Sequence, residues 1–378
     1  MTQSDSPPRI IVPENIRFAY VPRPGLLRLT LVNAFLNLIT LTVYRFWAKT
    51  NVRRHIWSCV QINGEPLEYT GRGTELFLGA LIVFGVLGLP AALIIGYLSI
   101  AYGPEHPGIA GVQVLLFMII SVLWGAAIFK ARRYQLSRTL WRGIRGGLEG
   151  SALIYTLLYF GSLLARSITL GWSTPALNFS MQEHMMRATR FGSLPFEFRG
   201  RAGPLYPSYA LCWFLTAVVA VAIFGVVAGF AMPNLSEIFG PMGGDQTEPT
   251  PEQAWKIGMI VLMVIAGGLL LFLVYPLIWS LYTAREMSLF ARSTTAGTAR
   301  FDMQVSAASV AWLTVGNFLL TVLTFGIARP YVMQRTVRFY CDRLALQGVI
   351  DIDGIRQSSA ELSRTGEGLA DAFDVGGL

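Results

Sequence analysis

Charge is scarce in this chain of 378 residues: 14% are Asp, Glu, Lys or Arg, against about 25% in an ordinary soluble domain. That deficit, set beside the long apolar runs described below, argues against a disordered chain and a soluble enzyme. Cysteine is scarce too. Cys59, Cys212 and Cys341 are odd in number, far apart and form no Cys-x-x-Cys, so they imply neither a disulfide framework nor a zinc site. There is no His-Glu-x-x-His, no Gly-x-Ser-x-Gly and no P-loop. Gly71-Arg72-Gly73 opens a Gly-x-Gly-x-x-Gly but fails at Leu76. The stretch from Met1 to Pro24 lacks the basic start, apolar core and small-residue cleavage site of a secretory signal.

What is abundant is apolar length. Hydrophobic residues make up 53% of the chain and the mean hydropathy is +0.51. A bilayer core of about 30 Å needs about 20 apolar residues as helix. Seven stretches approach that: 26–44, 75–102, 109–129, 150–172, 207–231, 257–283 and 306–328. The chain reads as an all-α polytopic membrane protein. Its net charge of +8, from 30 basic and 22 acidic residues, then fits the Lys and Arg enrichment of cytoplasmic loops rather than nucleic-acid binding.

The first, fourth and seventh stretches differ from the rest. They carry Asn33 and Asn37, Ser162 and Arg166, and Asn317, and each runs into an amphipathic stretch. Internal repetition accounts for this. A shift of 129 places Ile39-Thr40-Leu41 on Ile168-Thr169-Leu170, and Pro66 to Arg72 on Pro195 to Arg201. A shift of 284 places Asn33 on Asn317, Thr40 on Thr324 and Arg45 on Arg329. The expected organisation is a polar N-terminal segment over 1–25, full units over 26–140 and 141–300, a partial third over 301–356, and a mobile tail over 357–378.

Within each unit the endings Thr-Leu-Thr, Thr-Leu-Gly and Thr-Phe-Gly (40–42, 169–171, 324–326) read as helix stops. Gly171 and Gly326 suit the left-handed cap, and Thr42 is the departure. The stretches Arg45–Trp57, Pro175–Arg187 and Pro330–Leu344 mix basic and aromatic residues as headgroup-level helices do. The pieces around 66–72 and 195–201 alternate like short strands on the cytoplasmic face.

Counting Lys and Arg bears on topology. Seven plain spans put 18 inside and 10 outside. If segments 1, 4 and 7 enter and leave on one side, the split becomes 27 to 1, with Lys256 alone outside. The outer loop over 232–256 would then hold Glu237, Asp245, Glu248 and Glu252. The aligned pairs Val32-Asn33, Gly161-Ser162 and Gly316-Asn317 are the expected place for a re-entrant turn. In the seven-span alternative Asn33, Ser162 and Asn317 are hydrogen-bond partners between helices.

No carboxylate lies in the interior of any of the seven segments, Glu75 standing only at the mouth of the second, which weighs against a proton- or cation-coupled transporter. His55 and His184 share a repeat column, but Phe339 completes it, so the column accepts a plain aromatic ring. No catalytic residue, metal site or cofactor is expected.

Two blocks, Thr40–Arg54 and Gly64–Phe77, closely resemble hallmarks of the YjgN-like inner-membrane protein family, and Trp141–Arg145 and Gly366–Asp374 look like further family blocks. The resemblance covers nearly the whole chain. It implies a bacterial multi-pass inner-membrane protein, and the family is a domain of unknown function, so no activity or site residue comes with it.

The expectation is therefore a non-enzymatic membrane-organising or lipid-interacting protein whose partners are membrane lipids with anionic headgroups. Arg45, Lys49, Arg53, Arg54, Arg187, Arg190, Arg335 and Arg338 are its candidate headgroup contacts. The alternative is a transporter or channel for a small polar or amphipathic solute, lined by the column Asn33, Ser162 and Asn317.

Overall fold

The computed structural model describes residues 16–238, 250–350 and 354–357. Most of the polar N-terminal segment, the loop acids Asp245 and Glu248, and the tail beyond 357 with its Gly366–Asp374 block lie outside the described residues. The chain divides into two compact units. One holds Met1–Ala202, Ser288–Gln304 and Asn317–Leu378, and the other Gly203–Met287 and Val305–Gly316.

Among the described residues four helices are long and apolar enough to cross a membrane: Gly73–Tyr102, Pro107–Arg138, Gly203–Asn234 and Pro251–Ser293. They fall on the second, third, fifth and sixth apolar stretches. The first is α3 (Gly73–Val83) and α4 (Leu89–Tyr102), joined by a π turn over Phe84–Gly88. The next is α5 (Pro107–Arg138), whose 32 residues extend about 48 Å, well beyond an apolar core of about 30 Å. Its surplus is the end nearest Arg138, where Ala127, Phe129, Ala131 and Tyr134 are buried in protein. In the second unit α8 (Tyr206–Ile238) pairs with α9 (Pro251–Ser293). There the Tyr209 ring meets Trp279 and Tyr282, each at 5.3 Å, and Trp279 Nε1 donates to Thr216 Oγ1 at 3.1 Å.

The other apolar stretches form shorter helices: α1 (Leu26–Ile39), α6 (Ala152–Ile168) and α10 (Ala307–Leu323). At 14, 17 and 17 residues they reach about 21–26 Å, short of a core of about 30 Å. Each is followed by an amphipathic helix: α2 (Arg45–Cys59), α7 (Thr174–Ala188) and α11 (Arg329–Cys341). The expected break at Val32-Asn33, Gly161-Ser162 and Gly316-Asn317 is absent, because all three helices run unbroken through it. One Asn or Ser leaves the helical ladder intact; what ends these helices lies a few residues further on.

The three turns are built alike. Thr40, Thr169 and Thr324 each donate Oγ1 to the carbonyl four residues back, at 2.7, 2.7 and 2.6 Å. The same oxygens accept the backbone N–H four residues ahead, from Tyr44, Ser173 and Ala328. The residues at 42, 171 and 326 donate their N–H to carbonyls five back, at 2.7, 2.7 and 2.8 Å, the longer bond of a Schellman cap. Two left-handed residues make each turn: Leu41 and Thr42 (φ 48 and 72), Leu170 and Gly171 (φ 50 and 87), Phe325 and Gly326 (φ 49 and 80). Thr42 is β-branched where its counterparts are glycine, and L-residues pay about 1–2 kcal/mol in that region. Thr42→Gly should therefore raise stability by about 1 kcal/mol after glycine's entropy cost, read as a higher melting temperature in detergent. Gly171→Thr and Gly326→Thr should lower it.

The sheet is more extensive than the strand-like pieces expected from the sequence. Strands β4 (Glu68–Tyr69), β5 (Thr139–Trp141), β6 (Ile144–Leu148), β7 (Thr189–Phe191), β8 (Leu194–Phe198), β9 (Thr294–Ala296), β10 (Ala299–Met303) and β11 (Leu344–Gln347) pair antiparallel in that order. A second ladder joins β1 (Phe18–Tyr20), β2 (Val60–Ile62) and β3 (Glu65–Pro66). The ladders meet at both ends. Only Leu67 separates β3 from β4, and its N–H still bonds Val60 O at 2.9 Å; at the other end Arg17 pairs with Ala345 of β11. The pairing therefore closes into a ring. One face is buried and apolar, with Tyr69, Trp141, Leu148, Phe198, Met303 and Leu346, while Pro195, Glu197, Arg300 and Gln347 of the alternate positions are exposed.

Helices feed this ring directly. α2, α5, α7 and α9 run into β2, β5, β7 and β9 with no residue between, and α11 reaches β11 after two. Three of these junctions begin on threonine. Thr139, Thr189 and Thr294 each donate Oγ1 at 2.8 Å to the helix carbonyl four residues back. A β-branched residue that suits a strand thereby satisfies an orphan carbonyl of the last helical turn.

Candidate lipid-facing site

The three short helices fold back on their amphipathic partners. Asn317 Nδ2, six residues before α10 ends, donates to Thr336 Oγ1, seven after α11 begins, at 3.1 Å. Arg166 near the end of α6 donates to Asn178 Oδ1 near the start of α7 at 2.7 Å. These contacts define antiparallel helical hairpins.

Their depth follows from the packing against the long helices. Arg133 Nε of α5 donates to Leu148 O at 2.9 Å, the rings of Phe129 and Tyr155 lie 5.5 Å apart, and a Cβ at Gly125 would lie 2.8 Å from Thr156 Cα. As α5 is followed away from the sheet, α6 advances beside it. Ile168 lies nine residues past Tyr159, about 13 Å further along. That brings the second tip level with Val114, Leu115, Phe117 and Met118, all exposed on α5. The first hairpin is anchored by a buried cluster of Phe46, Leu76, Ala80 and Tyr134, so its tip also projects past the first turns of α3. Glu75 braces that junction, accepting from Tyr134 OH at 2.6 Å and from Arg138 at 2.7 Å.

The tips themselves are apolar and open. Leu41, Leu170 and Phe325, the central residues of the three turns, are 85%, 76% and 95% exposed. Leu38, Ile39, Ile168 and Leu323 beside them are exposed as well. The sequence reading missed these residues. Their signal was a large apolar residue at a left-handed turn position, where polar residues and glycine normally stand.

The polar column sits behind the tips, one member per hairpin. Asn33 is 5% exposed and its Oδ1 and Nδ2 have no protein partner. Ser162 donates to Tyr159 O at 2.6 Å, and Asn317 uses Nδ2 on Thr336 while its Oδ1 is unpartnered. No hydrogen bond among the described residues joins one column member to another. His184 of the aromatic column packs among rings. His184 lies 5.9 Å from the Tyr155 ring and 6.4 Å from Phe129, and burial pushes the His55 imidazole below its usual range, an effect opposed by a backbone hydrogen bond with Arg23.

The basic candidates divide. Arg45 is exposed beside the first tip, its guanidinium over the Phe46 ring at 4.9 Å. Lys49 and Arg335 are half-buried on their helices. Arg53 is a correction: it is 1% exposed and donates to Tyr69 OH at 3.3 Å, so no headgroup reaches it. Arg54 donates to Gly71 O at 3.2 Å. Arg187 pairs with Glu183, Arg190 with Glu149 and Arg338 with Asp342, at 2.7, 2.6 and 3.5 Å.

Comparison with known proteins bears on this architecture. The family described as a bacterial protein of unknown function (DUF898) matches residues 23–372. The chain belongs to that family. It is also similar to the inner membrane protein YjgN of Salmonella typhimurium (strain LT2), with 24% identity over 372 residues, covering 88% of this chain and 87% of that protein. No solved structure matches. With four membrane-length apolar helices, this DUF898 chain is a multi-pass inner-membrane protein.

Proposed function

We propose that this protein is a non-enzymatic, lipid-interacting organiser of the inner membrane, with four spans and three re-entrant hairpins repeated along the chain. The units are those over 26–140, 141–300 and, in part, 301–356. The carrying observation is the three short helices whose apolar tips are exposed while both ends of each hairpin return to one closed sheet. A hairpin that starts and finishes at the same sheet begins and ends on one face of the membrane. The 27-to-1 split of basic residues that this topology gives supports a cytoplasmic position for that face. Arg187 and Arg338, exposed at the sheet ends of α7 and α11, are then placed to meet anionic headgroups, each contributing about 1 kcal/mol.

The test is lipid carry-over from mixed vesicles of phosphatidylglycerol and phosphatidylcholine. Protein extracted from them should retain phosphatidylglycerol above its bulk share, and Arg187→Gln with Arg338→Gln should reduce the excess. Equal retention of the two lipids would overturn the headgroup reading. Asn33, buried with both polar atoms unpartnered, is the observation favouring the solute-pathway alternative. Solute flux into liposomes that vanishes in Asn33→Leu/Asn317→Leu would establish it instead.

A further inference from the structure

We propose that the three hairpin tips act together as a wedge in the sheet-side leaflet and draw the protein to membrane that is convex on that side. This rests on the lipid-interacting reading of the hairpins and adds the physical state of the lipid they recognise. Three observations carry it. The tips Leu41, Leu170 and Phe325 present large apolar side chains almost without protein cover. The register of α6 on α5, through Gly125 with Thr156 and Phe129 with Tyr155, sets the second tip beside the exposed apolar stretch Val114–Met118. That surface already belongs to a membrane-length helix, so the acyl chains that cover it also cover the tip. Finally, each hairpin lies between two strands of the joined ladders (β1 and β2, β6 and β7, β10 and β11), and all three tips belong to the unit that carries those strands, which supports entry from one side.

The consequence is an imbalance of area. Each helix with its side chains is about 10 Å across. The four spans displace lipid from both leaflets, whereas the hairpins add six helical segments to the sheet-side leaflet alone. Unequal displacement is relieved where that leaflet is stretched, on the convex side of a curved membrane. Apolar tips of this size also fit the packing defects that stretching opens, and the area they bury there is favourable in proportion to its extent.

The experiment uses full-length protein in giant vesicles of phosphatidylethanolamine and phosphatidylglycerol, from which narrow tubes are drawn. A fluorophore on a single cysteine at Ser193 reports density, and its quenching from outside reports which side the sheet faces. Protein with the sheet outward should be enriched several-fold in tubes over the flat membrane, increasingly as the tube narrows. Protein with the sheet inward should be depleted. Leu41→Asp/Leu170→Asp/Phe325→Asp should bring the ratio towards one. If that variant fails to fold, the triple serine variant at the same positions serves the same test. Wild-type protein spread evenly at every radius, or enrichment unchanged in a folded tip variant, overturns the wedge. Phosphatidylglycerol carry-over distinguishes the two levels. Its persistence without curvature sorting removes the wedge and leaves the lipid-interacting reading, and loss of both removes that reading as well.

Discussion

Single cysteines at Ser193 and at Arg142, in a chain with Cys59, Cys212 and Cys341 replaced, should behave identically towards a membrane-impermeant thiol reagent. Both should be silent in intact cells and label after lysis. Seven plain spans would put these two sites on opposite faces, because segment four lies between them. The sheet forbids that. β6 pairs with β7 through Gly146 with Phe191 and Leu148 with Thr189, and Arg142 and Ser193 sit in the adjoining hairpin turns. Separating them across a bilayer would break the ladder and strand its backbone groups in hydrocarbon, at several kcal/mol each. The expected difference is all or none. Labelling of Ser193 from outside while Arg142 stays protected would refute the re-entrant hairpin, and labelling of both would reverse the orientation while keeping it.

The second large effect is expected at Gly125. A Cβ there would stand 2.8 Å from Thr156 Cα and 2.9 Å from Tyr159 Cβ, so the obstacle includes backbone that cannot rotate away. Gly125→Leu should force α5 and α6 apart at a cost of about 1–3 kcal/mol, and the loss of the neighbouring Phe129–Tyr155 contact should follow. The readout is a lower melting temperature in detergent. Gly111→Leu on the same helix is the control, since nothing lies within 4 Å of its Cβ position and the added side chain meets only lipid. Equal melting of wild type and Gly125→Leu would mean that α6 does not pack as described.

Part of this architecture was legible because it depends on local composition. Helices of 30 residues or more that each hold an 18-residue apolar window with at most two charges are long and apolar enough to cross a bilayer. The helix stops at Thr169 and Thr324 were legible for the same reason, since a Thr followed two residues later by Gly can complete its cap within a few residues of chain, and Thr40 with Thr42 was legible through its repeat position. The place of the turn was misjudged where an isolated Asn33 or Asn317 was given the power to break a helix. The roles of the arginines were not legible at all. Arg45 and Arg53 lie eight residues apart on one helix, yet one is exposed and the other is enclosed against Tyr69. Tyr69, brought back by the β2–β3 hairpin, is part of that difference.

By itself the sequence determined a polytopic membrane protein, seven apolar stretches of two kinds and their family, and left four or seven spans open. Those properties follow from hydrophobic length and spacing, which act over a few turns of chain. The joined strand ladders, the end of each short helix beside a strand and the exposure of Leu41, Leu170 and Phe325 were decided by tertiary structure. The ring closes through Arg17 with Ala345, a pairing across almost the whole chain, and through β9 with β8, nearly a hundred residues apart. Strands of two to five residues have too little local signal to announce such partners. They are held in register by the helices that deliver them, and only the assembled fold specifies where those helices end.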